Sequence, residues 1–148
     1  MSFQEKNITV SLANFTLILG FYLIRVIQMV QGGSFNSANV FRLWGIIIAL
    51  AVVVTIFATI LTHIVLAILQ AIRTGNENPE VEDIEDERDQ LIDLRGTRVT
   101  YFVTSIGGFL SMLTFVFGQP PLVMFTLLIF FGVLAQILGD LLRLRLYR

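Results

Sequence analysis

The chain has 148 residues, 55% of them hydrophobic and 14% charged, with a mean hydropathy of +0.81. A soluble domain is about 45–50% apolar even with glycine included, so this composition indicates an integral membrane protein. With no cysteine and one histidine, the chain cannot form disulfides, thiolate nucleophiles, cysteine-based zinc or iron–sulfur sites, or bis-histidine haem ligation within one copy.

Four apolar segments are long enough to cross a bilayer, which requires about 20 residues per helix. They cover residues 8–30, 43–72, 99–117 and 122–142. The first has no small-x-small cleavage site, so we expect a retained span and not a signal peptide. The sequence therefore predicts an all-α integral membrane protein whose residues 1–148 form a single membrane domain.

The basic residues predict how these spans are oriented. With all four segments crossing, both termini and the connector at residues 73–98 share one side, which holds eight basic residues against two on the other. The eight are Lys6, Arg73, Arg88, Arg95, Arg98, Arg143, Arg145 and Arg148. By the positive-inside rule this side is the cytoplasm, so we expect a multi-pass protein of the inner (plasma) membrane with both termini cytoplasmic.

The connector, residues 73–98, holds most of the acidic residues. Asn78 and Pro79 are typical of a helix start, and the carboxylates that follow complement the helix dipole. We therefore predict a cytoplasmic amphipathic acidic helix between spans 2 and 3, with a stripe of apolar residues and arginines that faces the membrane surface or a partner. Gly96 either ends this helix or is a weak point in a helix that continues into the third span. The candidate partner-binding residues are Asp86, Glu87, Arg88, Asp89, Asp93, Arg95 and Arg98.

His63 and Asp140 fall at a similar predicted depth, near the cytoplasmic boundary of their helices. Ionisable groups within a membrane are often functional and histidine titrates near neutral pH, so the two residues are a candidate intramembrane polar pair. The alternative is a structural hydrogen bond or simple contact with headgroup water. Gln70 and Gln136 are candidate members of either network.

Arg25 and Arg42 are the basic residues expected near the outer face. No acidic residue is expected there to pair with them, so they are a candidate anion or lipid contact, against the simpler interpretation of headgroup snorkelling. Small residues in the third and fourth spans, among them Gly107, Ser111 and Gly139, indicate close helix packing, either within one chain or between copies.

The sequence supplies no cofactor-binding motif and no catalytic motif, so we expect no cofactor and no enzyme activity. The acidic residues of the connector suggest a divalent-cation site, but they lack the glycine and the terminal glutamate of an EF-hand loop, so no metal ligands are assigned. The basic residues are too few, and too confined to helix ends, for nucleic-acid binding.

Residues 86–98 fit the pattern D-E-R-D-x-L-I-x-L-R-x-x-R, follow the stretch Thr62-His-Ile-Val-Leu-Ala67 and precede Gly118-Gln-Pro-Pro-Leu122. In these features the chain resembles a family of small, uncharacterised bacterial four-span membrane proteins, over most of its length. The resemblance implies a bacterial membrane protein and supplies no catalytic residues. Because some proteins of this kind are encoded beside helix-turn-helix regulators, it also implies a sensing or regulatory role.

Together these features predict a non-enzymatic regulatory, assembly or interaction partner that acts through the cytoplasmic acidic helix. Its expected partners are the lipid bilayer and, on the cytoplasmic side, a second copy of the chain or another protein. Two alternatives remain open. One is an oligomeric small transporter or channel that uses His63 and Asp140, and the other is a divalent-cation-sensing membrane protein.

Overall fold

The structure is a computed structural model that describes residues 3–74 and 87–148, apart from the side chains at positions 3, 58, 59, 62, 63, 66, 69–71, 73 and 74. The described residues form four α-helices, which are α1 (Phe3–Gln31), α2 (Ser37–Thr74), α3 (Glu87–Val116) and α4 (Pro121–Tyr147). All four are long and apolar enough to cross a membrane, as expected of a multi-pass membrane protein. The predicted all-α fold with four helices of spanning length is confirmed.

The helices are connected in two pairs, α1 with α2 and α3 with α4, and in each pair a glycine C-cap ends the first helix. After α1, Gly33 has a φ of +65°, and the Ser34 N–H donates a 3.0 Å hydrogen bond to the Met29 carbonyl. This is a Schellman motif, and it requires a left-handed residue that glycine supplies without strain. Gly118, with a φ of +80°, ends α3 in the same way. Pro121 then occupies the first turn of α4, where its missing N–H costs nothing.

The two connections, residues 32–36 and 117–120, define one end of the molecule, called here the loop end. The opposite end, the terminal end, brings together the starts of α1 and α3 and the last turns of α4. Its helices are joined by the hydrogen bonds of Ser11 with Asp140 and of Tyr147 with Asp89.

The described part of the third helix runs from Glu87 to Val116 and includes the end of the predicted connector as well as the predicted third span. Residues 87–98 are therefore the first three turns of one unbroken helix of 30 residues, and of the two alternatives for Gly96 the continuous helix is correct. At Gly96 the Arg143 side chain of α4 occupies the space that a side chain would need. A separate acidic helix is not shown, and residues 75–86, including its expected start at Pro79, lie outside the described residues.

α4 is the central helix, and α3 packs along most of it through small residues. Gly107 and Ser111 on α3 and Ala135 and Gly139 on α4 are buried. A methyl group at Gly107 would collide with Phe131. The absence of a side chain at Gly107 is therefore what allows α3 to lie this close to α4. Helices in lipid associate through such close packing because apolar burial supplies no driving force there. These small residues therefore form a contact within the chain.

α1 packs against the other side of α4, and α2 packs mainly against α1. The three helices share a core cluster in the middle of the bundle, between the terminal cleft and the loop end. Its buried residues are Ile18, Tyr22, Leu43, Ile47, Val133 and Ile137. The Tyr22 side chain, 1% exposed, donates a 2.6 Å hydrogen bond to the Thr126 carbonyl. The cluster closes the space between the helices toward the loop end.

Candidate functional site

Asp140 is buried, with 3% of its surface exposed, and both of its carboxylate oxygens are hydrogen-bonded. Oδ2 accepts a 2.6 Å bond from the Ser11 hydroxyl on α1. Oδ1 accepts bonds from Gln136 Nε2 at 3.2 Å and from Arg143 Nη1 at 2.9 Å. A carboxylate taken out of water requires such compensation, here from one guanidinium and two neutral donors. Gln136 is therefore a direct partner of Asp140.

Arg143 joins this carboxylate to α3. Its Nε donates to Asp93 Oδ1 at 2.9 Å and its Nη2 donates to Thr97 Oγ1 at 2.8 Å, while Nη1 is bound to Asp140. The side chain is 13% exposed and lies across Gly96, where a methyl group would collide with it. All three guanidinium nitrogens are thus engaged, and glycine at position 96 makes room for them.

Tyr147, one turn beyond Arg143, makes a further connection between α4 and α3. Its hydroxyl donates a 2.8 Å hydrogen bond to Asp89 Oδ1. Both described acids on the inner face of α3, Asp89 and Asp93, therefore bond to the last turns of α4. These bonds fix the start of α3 against the end of α4.

The network lies at one depth in the bundle. Asp140 is about 29 Å along α4 from Pro121, and Ser11 is about 30 Å along α1 from Gln31, at the helical rise of about 1.5 Å per residue. The hydrocarbon core of a bilayer is about 30 Å thick, so with the loop end at one boundary the network lies at the other. This depth is where buried charges and water can meet.

A cleft of about 320 Å³ opens beside the network and is called here the terminal cleft. Its charged lining consists of Asp89, Asp93, Asp140 and Arg143, a formal charge of −2. Ligand sites in proteins commonly fall between about 300 and 1,000 Å³. The rest of the lining is uncharged, with the polar residues Gln4, Asn7, Ser11, Asn14, Thr55, Gln136 and Tyr147 and the apolar residues Ile8, Phe15, Ile18, Ala51, Val54 and Ile92. The terminal cleft is thus an anionic cleft with polar and apolar walls and the volume of a small-molecule site.

The terminal cleft leaves several acceptors free. The second carboxylate oxygens of Asp89 and Asp93, and the side-chain amides of Asn7 and Asn14, have no hydrogen-bond partner within residues 3–74 and 87–148. The aromatic ring of Phe15 forms part of the apolar wall. Free acceptors beside an aromatic ring are suited to a ligand that carries hydrogen-bond donors and positive charge.

The predicted pair of His63 and Asp140 is not tested. His63 belongs to α2, but its side chain lies outside the described residues, as does that of Gln70. Among the residues that the structure describes, no group of three or more histidine, aspartate or glutamate side chains is placed to hold a metal ion. Most of the acids behind the divalent-cation hypothesis, between positions 77 and 86, lie outside those residues.

The candidate partner-binding residues separate onto two faces of α3. Asp89 and Asp93 bond to α4, with the Asp93 side chain still 70% exposed, whereas the remaining described candidates are exposed and make no described bond to α4. The exposed ones are Glu87, Arg88, Arg95 and Arg98, with Leu91 and Leu94 beside them at 56% and 47% exposure. Asp86 lies outside the described residues. The exposed residues of the described segment are therefore mainly basic and apolar, with Glu87 as an acid among them, while Asp89 and Asp93 bond to α4.

Arg25 and Arg42, predicted as an outer anion or lipid contact, line one cavity near the loop end. This loop cavity has a volume of about 280 Å³ and lies between α1 and α2. The structure thus brings together two residues that the sequence placed only on the same side of the membrane.

The main site residue that sequence reasoning missed is Arg143, which was counted only as a determinant of orientation. Its spacing of three from Asp140 puts both on one helix face, a signal for an ion pair that the sequence does contain. The small residues Gly96 and Thr100 continue the spacing of Gly107 and Ser111 along α3, and this extension marked where α4 would approach.

Comparison with protein-family models, curated proteins and solved structures gave no match. The resemblance carried by residues 86–98 accordingly stays a prediction. The terminal cleft, its charges and the outward face of α3 are the observations that bear on function.

Proposed function

We propose that this protein is a non-enzymatic bacterial inner-membrane protein that binds a small organic cation in the terminal cleft and acts on a protein partner through α3. One observation carries the proposal. The first three turns of α3 supply acids to the cleft on one face and present exposed arginines on the other. A ligand bound to Asp89 or Asp93 acts on the same helical segment that offers Arg88 and Arg95 to a partner.

The charge of the cleft supports the choice of a cation. Three carboxylates face one arginine whose three nitrogens are already bonded, so an incoming anion meets uncompensated negative charge. The neutral amides of Asn7 and Asn14 and the ring of Phe15 line the same cleft as Asp93, and both kinds of group bind ammonium favourably. A compound with one ammonium group and a short apolar part fits both the charge and the volume.

Orientation follows from the basic residues. The terminal end carries most of them and the loop end carries Arg25 and Arg42, so the positive-inside rule supports a cytoplasmic terminal cleft and cytoplasmic termini. In this orientation the ligand enters from the cytoplasm. The partner surface on α3 faces the same compartment.

Thermal unfolding in mild detergent tests ligand binding. The probes are ammonium compounds from methylammonium to tetraethylammonium, with glucose and sulfate as neutral and anionic controls. We expect at least one ammonium compound to raise Tm in the wild type and in the E87Q variant, whose substitution lies outside the cleft, and to have no such effect in D93N. Equal shifts in D93N, or no shift with any ammonium compound, would contradict the proposal.

Affinity capture from mild detergent tests the partner surface. The R88E/R95E variant reverses two exposed charges on α3, and R145E/R148E reverses two charges at the end of α4 as a matched control. We expect the first variant to lose proteins that the wild type and the control retain. An unchanged set of captured proteins would remove the partner role.

A second candidate function, a small transporter assembled from several copies, is favoured by a different observation. Two polar cavities lie toward opposite ends of the molecule, and the core cluster around Tyr22 and Ile47 lies between them. Such an arrangement is typical of a closed barrier within a transport path. Uptake of a labelled ammonium compound into proteoliposomes that the D140N substitution abolishes would support transport, and uptake unchanged by D140N would exclude this use of the cleft.

A further inference from the structure

The loop cavity contains two positive charges and no acid. Arg25 on α1 and Arg42 on α2 both line it, together with Ser34 and Asn39. Arginine stays protonated at every physiological pH, so neither charge can be removed by releasing a proton. Both arginines are exposed, and an anion bound between them would offset the repulsion of two like charges at one cavity.

Residues 3–74 and 87–148 do not place an acidic side chain at this cavity. The eleven acidic residues of the chain are Glu5, nine residues between 77 and 93, and Asp140. Each of those in the described helices lies in the half nearer the terminal end, as the positions of Glu5, Asp93 and Asp140 along their helices show. The described hydrogen bond of Arg25 does not neutralise its charge, because Nη1 donates to the neutral Gln28 Oε1 at 3.2 Å. Arg42 has no hydrogen bond or ion pair with any described residue.

The two arginines lie at the same depth. Arg25 is about 9 Å along α1 from its end at Gln31, and Arg42 is about 8 Å along α2 from its start at Ser37, at about 1.5 Å per residue. With the helix ends at Gln31 and Ser37 at the hydrocarbon boundary, both backbones lie inside it, and the long arginine side chains reach back toward the headgroup layer. The phosphates of lipids occupy that layer.

The neutral groups of the cavity also favour an oxyanion. The Ser34 hydroxyl has no hydrogen-bond partner in the described part of the chain, whereas the Asn39 side chain is held by its 2.9 Å bond to the Ser34 carbonyl. One free hydroxyl and two guanidinium groups can together surround a tetrahedral oxyanion, and arginine binds such groups through paired N–H donors.

We propose that the loop cavity is a phosphate site in which Arg25 and Arg42 hold one phosphate group between α1 and α2. The group comes either from an anionic phospholipid of the facing leaflet or from free phosphate. The site is independent of the terminal cleft, since it shares no residue with it. Binding there ties α2 to α1 at the end of the bundle where α2 begins.

Thermal unfolding in a neutral detergent tests the site with two probes, short-chain phosphatidylglycerol and inorganic phosphate. The R25Q/R42Q variant removes both charges, and R95Q/R98Q removes two exposed arginines from α3 as a matched control. We expect the wild type and the control to gain stability with one of the probes, and R25Q/R42Q to bind that probe at least tenfold more weakly, since each arginine lost removes a charge-assisted bond. Removing two like charges does not remove any intramolecular ion pair, so the variant should still fold.

The probe that succeeds assigns the source of the phosphate. A response to phosphatidylglycerol alone identifies a lipid headgroup, and a response to inorganic phosphate identifies a soluble anion. Native mass spectrometry gives a second measurement, in which the wild type retains one more anionic lipid than R25Q/R42Q when lipid is the ligand. The proposal fails if R25Q/R42Q responds to both probes as the wild type does, or if the wild type responds to neither.

Discussion

The Ser11 hydroxyl on α1 donates a 2.6 Å hydrogen bond to Oδ2 of Asp140 on α4, a residue 129 positions later in the chain. This bond is the polar connection between the first and last helices at the terminal end. It also completes the coordination of a buried carboxylate whose other oxygen is bonded to Gln136 and Arg143. The bond therefore stabilises the wall of the terminal cleft.

Replacing Ser11 by alanine should destabilise the protein by about 1.5–3 kcal/mol, because it leaves one oxygen of a buried carboxylate without a donor. Thermal or denaturant unfolding in detergent measures the change. S105A serves as the control, because Ser105 is exposed on α3. Similar losses in both variants would mean that the bond to Asp140 has no specific effect.

Replacing Arg143 by methionine should cost more, about 3 kcal/mol or above, since it leaves Asp140 buried without its counter-charge. R145M is the matched control, because Arg145 lies two residues away and is exposed. We expect R145M to unfold at the wild-type temperature. An R143M variant as stable as R145M would show that the ion pair contributes nothing to stability.

The G107A variant should lower the unfolding temperature, and G108A should not. A methyl group at Gly107 would collide with Phe131, whereas at Gly108 it would meet no atom within 4 Å. Overpacking of this kind costs about 1–3 kcal/mol, while alanine at an open helical position is favourable by a few tenths to about 1 kcal/mol. Unfolding of both variants in the same detergent decides this, and equal effects would contradict the α3–α4 packing described above.

A substitution at Tyr22 measures how much one buried hydrogen bond near the core cluster contributes to stability. The Y22F substitution keeps the ring and removes the hydroxyl that donates to the Thr126 carbonyl, which should cost about 1 kcal/mol. Y101F is the control, because Tyr101 is 71% exposed on α3. A stable Y22F together with a destabilised Y101F would reverse the expected order.

The sequence predicted the helices well because their signal, apolar length, is local. Whether one helix continues through Gly96 was left open by the sequence because glycine usually weakens a helix, whereas in the structure the Arg143 side chain from another helix packs against Gly96. No local pattern reports such a contact.

The site was only partly predicted, because some of its contacts also depend on how the helices pack. Asp140 is identifiable from sequence because an acid within an apolar span is rare. Its partner Ser11 is not, because hydroxyls in spanning helices usually bond their own backbone, as Thr16 and Thr126 do. Which serine faces another helix is decided by how the bundle packs.

The absence of cysteine makes a direct test of the terminal cleft practical, because a single introduced thiol is the only one in the chain. The N14C variant places that thiol in the lining of the cleft, and Q90C places one on the exposed surface of α3. Labelling rates are measured in sealed vesicles of known orientation with membrane-impermeant cationic and anionic methanethiosulfonates.

An anionic cleft that opens to the cytoplasm predicts that N14C reacts only from the cytoplasmic side. It also predicts that the labelling rate of the cationic reagent divided by that of the anionic reagent is about tenfold higher at N14C than at Q90C. The reason is that a cleft of one sign concentrates its counter-ions. Reaction of N14C from the outer side, or the same cationic-to-anionic rate ratio at N14C and Q90C, would contradict the account.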